Sequence, residues 1–217
     1  MIHRRQFTGA LLLPLAAASF DIRAESRPGL ARQLAEIEKK TGGRLGVHVL
    51  DTADGRRAGH RQDERFALCS TFMFLAAALV LARVDQGKER LDRRVVYSRD
   101  DLVTYSPATE KHAGTDGMTM AQLCVTAASR AQLLQWLDDN KTGGQRIRAG
   151  LPAGWKVGDK TGTGENGATN DIAILRPPGR APVLLSVYLT ETQASMADRN
   201  AAHAAVAAAV AAWITGA

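Results

Sequence analysis

Between Thr71 and Ala82 the chain carries no charged side chain, and apolar residues fall on every side of the helix that this stretch would form. A helix without a polar face is normally buried inside the protein. This one reaches Val84 and stops at Gly87, short of the roughly 20 apolar residues that a bilayer span needs. The sequence therefore predicts a buried helix over Thr71–Val84, which the rest of the chain must cover. With 217 residues, 45% of them hydrophobic and 23% charged, the chain has enough material for a real core. That balance disfavours disorder, collagen and coiled coil, and it suits one domain or two interleaved lobes.

The surrounding pattern supplies the cover. Leu30, Leu34 and Ile37 recur at helical spacing until Gly42-Gly43 ends the run. Leu45, Val47 and Val49 alternate as in a strand, and Asp54-Gly55 is a turn signal, which predicts a hairpin of 44–51 with 56–60. Residues 88–118 are polar and loop-rich. Thr119 with Gln122 forms a capping box for a helix to about Ala128, and Ser129 with Gln132 forms a second. Val157, Ile172–Leu175 and Val183–Leu189 read as three strands between Gly/Pro turns. An Ala-rich helix closes the chain, with Val206, Val210 and Trp213 on one face. The expected class is α+β, an antiparallel sheet built from both chain ends with helices packed on it.

Residues 1–24 read as an export leader rather than as fold. Arg4-Arg5 precedes an apolar run from Ala10 to Ala18, and small residues at 16–19 and 24 suit a signal peptidase. The pattern resembles a twin-arginine signal, which implies a periplasmic product without stable membrane anchoring. An amphipathic surface helix is the rival reading. The net charge of +6 comes from scattered basic residues. It reads as a solubility feature, not a nucleic-acid footprint. Two cysteines, Cys69 and Cys124, exclude a disulfide-dense scaffold. Histidines at 3, 48, 60, 112 and 203 lack ligand spacing, so neither a metal nor a cofactor is expected.

Two places carry chemistry. Cys69-Ser70-Thr71-Phe72 opens the apolar helix. A helix N-terminus offers unpaired N–H groups beside the Ser70 hydroxyl, although an ordinary N-cap is the commoner use of such a serine. Lys160-Thr161-Gly162-Thr163-Gly164 follows a strand. Its glycines admit close backbone approach, and a strand edge can pair with an amide-like substrate. Taken alone it also fits a simple Gly-rich turn. A phosphate-binding loop does not fit, because Asp159 stands where that motif needs glycine.

Five segments in order change the reading: Cys69-Ser70-Thr71-Phe72, Tyr105 to Glu110, Met118 to Leu123, Arg146 to Trp155, and Asp159 to Gly164. Together they resemble a class A serine β-lactamase across nearly all of residues 28–214. The resemblance implies a β-lactamase/transpeptidase-like fold. One lobe is expected from 25–66 and 150–217, and a reduced helical lobe from 67–149. It implies that Ser70 attacks a β-lactam carbonyl to form an acyl-enzyme that water releases. The backbone N–H groups of Ser70 and Thr163 would form the oxyanion hole. Lys160, Thr161 and Gly162, with the Thr163 hydroxyl, would bind the substrate's carboxylate region. Arg146 matches an arginine that many members use as a carboxylate partner; a solvated charge is the alternative. The implied partner is a small-molecule β-lactam acting on a monomer.

The chain also departs from that family. Met73 stands where the lysine of the Ser-x-x-Lys motif belongs, next to Ser70 on a helix. The Ser-Asp-Asn motif is absent, and Ser129, followed by Arg130, does not replace it. The loop with the glutamate that activates water is absent too. An internal segment of several tens of residues is thus expected to be missing, which should leave apolar surface uncovered on helices 70–84 and 119–128. Gly164 occupies the site of a cysteine that some members bridge to Cys69. Impaired hydrolysis, a dead β-lactam-binding remnant and a penicillin-binding peptidase relative are the resulting alternatives.

Overall fold

The computed structural model describes residues 29–103, 106, 108–114, 116–124 and 129–216. The leader expected over 1–24 lies outside them, as do Tyr105, Pro107 and residues 125–128. In chain order the elements are helix α1 (Leu30–Thr41), strands β1 (Arg44–Asp51) and β2 (Arg57–His60), and a 3₁₀ turn Cys69–Thr71 that runs into α2 (Phe72–Asp85). Short strands β3 (Arg94–Val95) and β4 (Met118–Thr119) precede α3 (Met120–Cys124) and α4 (Ser129–Asp138). Strands β5 (Lys156–Thr163), β6 (Thr169–Arg176) and β7 (Val183–Thr190) lead to α5 (Met196–Thr215).

The main sheet is antiparallel in the order β2-β1-β7-β6-β5. Strand β1 from the start of the chain lies beside β7 from its end, in register from Arg44 opposite Thr190 to Asp51 opposite Val183. The alternation at Leu45, Val47 and Val49 places all three in the core. They meet Leu30 and Leu34 of α1 and Val206, Val210 and Ile214 of α5, all buried. The α5 N-terminus is held by the Ser195 hydroxyl, which accepts from the Asp198 N–H at 3.1 Å. This layer is the α+β sheet-and-helix arrangement that the pattern predicts.

The helical side is thinner. The Thr119–Gln122 capping box forms as expected, with Thr119 N–H donating to Gln122 Oε1 at 2.8 Å and Gln122 N–H to Thr119 Oγ1 at 3.1 Å. Helix α2, expected to be buried all round, is not. Leu81 is covered, but Phe72, Met73, Leu75 and Leu79 are 54–64% exposed. The helix packs on α4 on one side. Among the described residues nothing closes the other. A few hundred Å² of apolar surface in water costs several kcal/mol at about 25 cal/mol per Å². Two-stranded pairing of Arg94–Val95 with Met118–Thr119 was not legible in the loop-like sequence of 88–118.

Candidate active site

Ser70 does not cap a helix. It lies inside the 3₁₀ turn, and α2 begins two residues later without a side-chain cap. The turn is tight because Cys69 adopts a left-handed conformation at φ 46°, which costs a non-glycine residue about 1–3 kcal/mol. Two groups stabilise the turn. The Thr71 hydroxyl donates to the Leu68 carbonyl at 2.5 Å. From β6 the Asn170 amide donates to the carbonyls of Ala67 at 2.7 Å and Leu68 at 3.0 Å.

Strand β5 closes against this turn at Gly162. A Cβ there would lie 3.1 Å from the Ser70 nitrogen and 3.0 Å from Cys69 Cβ, so only glycine fits without displacing the turn. A Cβ at Gly164 would meet the Cys69 sulfur at 2.8 Å. The Cys69 thiol is free and points at the position where the resemblance locates the partner cysteine of some members. β5 is also the sheet's edge strand. The Gly164 N–H bonds inward to the Ala168 carbonyl at 3.0 Å, and antiparallel pairs alternate. The neighbouring Thr163 N–H therefore points off the edge, beside the turn that carries Ser70.

Ser70, Met73 and Lys160 line one cleft of about 610 Å³, with Cys69, Phe72 and Val103 among its other walls. Lys160 and Met73 also border an adjoining apolar cleft of about 340 Å³ under Trp136 and Leu137. The Lys160 amine is half-buried and donates to the Thr161 carbonyl at 2.8 Å. Burial pushes its pKa below the usual lysine value, against the pull of Asp171 and Asp159.

The other expected contacts point into the protein. Thr161 is buried, with its hydroxyl 2.5 Å from that of Thr142. Arg146 is buried as well, and its guanidinium is fully directed at neighbours. It donates to Asn200 Oδ1 at 3.0 Å, to the carbonyls of Gly162 at 2.8 Å and Asn170 at 2.7 Å, and to the Thr163 hydroxyl at 2.8 Å. It is not a solvated charge. Gly162 and Asn170 face each other in the β5–β6 ladder, so one arginine ties both strands at the rung next to Ser70.

Beneath the strand lie two buried carboxyls. Asp159 pairs with Arg148 and accepts from the Asn140 amide at 2.9 Å. Asp171 accepts from the Ile147 N–H at 3.2 Å. Burial, reinforced by the Asp159 charge, raises its pKa well above the carboxylate range. Asn170, which holds the Ser70 turn, is the site residue that sequence reasoning missed. The signal was the polar run Thr169-Asn170-Asp171 at the head of an otherwise apolar strand. No group of three or more His, Cys, Asp or Glu side chains could hold a metal among the described residues. No helix there is long and apolar enough to cross a membrane.

Comparison with known proteins gives this geometry a lineage. The family model described as Beta-lactamase matches residues 31–128, and the one described as Beta-lactamase enzyme family matches 117–214. Beta-lactamase OXY-1 of Klebsiella oxytoca is 34% identical over 273 residues, covering 91% of this chain and 93% of that protein. Beta-lactamase Toho-1 of Escherichia coli is 33% identical over 282 residues, covering 95% and 96%. Both matched stretches exceed the 217 residues of the whole chain. The solved class A β-lactamase reconstructed for the last common ancestor of Gram-negative bacteria superposes with a TM-score of 0.77 at 47% identity, covering 85% of this chain and 99% of its own.

Proposed function

The chain belongs to the class A serine β-lactamases, and on that premise we propose that it opens β-lactam rings by acylation at Ser70, with turnover well below that of an intact relative. One observation carries the reading. The Ser70 turn and the Lys160-bearing edge strand border a single cleft, with the Gly162 Cβ position 3.1 Å from the Ser70 nitrogen. In the proposed reaction the β-lactam carbonyl lies at the strand edge, where the Ser70 and Thr163 N–H groups receive the developing oxyanion. Lys160 lines the cleft beside Ser70, and Arg146 holds the Thr163 hydroxyl and the Gly162 carbonyl in place.

Impairment follows from chemistry. Met73 neither takes nor gives a proton. One general base contributes about 10²–10⁴ in rate, and losses of groups that act together are not additive. The matched stretches longer than the chain support an internal segment being absent, which accords with the exposed side of α2. Arg4-Arg5 and the apolar run after them support export to the periplasm, where a monomer would meet a small β-lactam. A reporter fusion to residues 1–24 checks that route.

A chromogenic cephalosporin assay on the purified full chain, paired with intact-mass analysis, tests the main reading. Slow hydrolysis above a Ser70→Ala control is expected, with a ligand-mass adduct on Ser70. Stable adduct without release would support a binding remnant, to which Met73 already points. The absence of both adduct and hydrolysis would reject acylation at Ser70. Cleavage of a peptidoglycan peptide instead would indicate the peptidase relative.

A further inference from the structure

We propose that the Lys160 side-chain amine takes the Ser70 hydroxyl proton during acylation, filling the role that methionine at position 73 leaves vacant. The inference rests on the reading of Ser70 as the acylated residue. Lys160 and Gly162 are two positions apart on β5, so their side-chain directions leave the same face of the strand. At Gly162 that direction runs into the Ser70 turn, 3.1 Å from its nitrogen. Same-face neighbours in a strand are about 7 Å apart, a span that an extended lysine covers. Lys160 and Ser70 accordingly border the same cleft, with Met73 between the two clefts that Lys160 touches.

The amine is also prepared for the task. One of its hydrogens goes to the Thr161 carbonyl, which leaves a neutral amine's lone pair to accept from a hydroxyl. Asp171 and Asp159 favour its charged form, and burial together with the Arg146 charge outweighs them. Asp159 is engaged by Arg148 and Asn140. Asp171 favours its neutral acid form, and Arg146 adds repulsion. Asp139 borders only the adjoining cleft, and among the described residues the Cys69 thiol is the other titratable group in the cleft of Ser70. Burial then lowers the pKa of Lys160, in the direction that a general base at neutral pH requires.

The step balances without any co-reactant. Ser70 Oγ bonds to the β-lactam carbonyl carbon while its proton moves to Lys160. The ring C–N bond then breaks, and Lys160 returns the proton to the departing nitrogen. The products are a serine ester, a ring-opened amine and neutral lysine.

The experiment follows Ser70 adduct formation with benzylpenicillin by intact mass, from pH 6 to 10, as a function of penicillin concentration. The parent rate should rise with pH and level off. Lys160→Arg keeps the charge and removes the base. Its maximal rate should fall about 10²-fold or more and lose the rise with pH, while half-saturation changes little. Adding Met73→Lys to that variant should restore the rate by returning an amine to the site. A Lys160→Arg rate and profile like the parent's would overturn the proposal. So would a loss that Met73→Lys fails to recover, because the lysine would then be holding structure. A parent that forms no adduct at all would sink the Ser70 reading itself, and this inference with it.

Discussion

The side-chain amide of Asn170 donates to the carbonyl of Ala67, 2.7 Å away and 103 residues earlier in the chain. With its second bond, to Leu68, it fastens the turn that carries Ser70 to strand β6 of the sheet. Replacing it by alanine leaves two part-buried carbonyls without that donor, a loss of about 1–3 kcal/mol. Asn170→Ala should lower the urea midpoint and slow adduct formation at Ser70, whereas an unchanged acylation rate would mean that the turn holds itself.

Arg146 should matter for the strand pair before it matters for any ligand. Lysine in its place keeps the charge but loses the fork that reaches Gly162, Asn170, Thr163 and Asn200. Arg146→Lys is expected to cost about 2–4 kcal/mol in urea unfolding, in line with breaking other buried charged networks. A fall in ligand affinity with stability intact would show instead that the guanidinium meets the substrate.

Acid should destabilise the fold through His203. Burial and the nearby Arg146 charge hold its pKa down at about 3, although its contact with the Thr169 carbonyl opposes them. In the unfolded chain an imidazole titrates near 6.5. The unfolded state therefore binds the extra proton first as pH falls, and stability is lost from about 6.5 downward toward 3 at up to about 1.4 kcal/mol per pH unit. Asp171 works in the opposite direction, because its raised pKa favours the folded acid form at low pH. Urea unfolding of the parent and of His203→Gln at pH 7.5 and 5.5 separates the two. The variant should lack the imidazole's share of the loss, and identical slopes would remove His203 from the account.

Returning the family's amine should raise activity. Met73 borders the cleft of Ser70, and a second amine there, from Met73→Lys, is expected to raise the acylation rate of the parent by less than the about 10²-fold that it restores to Lys160→Arg. Mass analysis over time reads this directly. No gain in a folded variant would mean that the side chain at position 73 does not limit acylation.

The open side of α2 should govern solubility. Leu79 is 64% exposed, so Leu79→Lys removes apolar surface from water without emptying a packed site. Light scattering during concentration should show less aggregation, with the unfolding free energy in urea changed by less than about 0.5 kcal/mol. A large loss of stability would reveal that α2 is covered in solution.

Much of the architecture was local enough to read. Period-two apolar residues at Leu45, Val47 and Val49 fix a half-buried strand, Gly42 ends α1, and Thr119 with Gln122 starts α3, because each signal acts over a few residues. Burial of α2 was misjudged for the opposite reason. An apolar helix states its need for cover, and only the neighbours decide whether cover exists. The likeness to a known family named Ser70 and Lys160, yet their meeting in one cleft depends on the β5–β6 ladder reaching the turn at Gly162. Thr161 and Arg146 show the same limit, since composition cannot say whether a hydroxyl or guanidinium faces ligand or protein. Sequence alone determined most of the elements, the sheet drawn from both chain ends, and the methionine at position 73. Tertiary structure decided which donors were already engaged, how Asn170 holds the serine turn, and where the lysine amine lies, because contacts across a hundred residues have no local pattern to announce them.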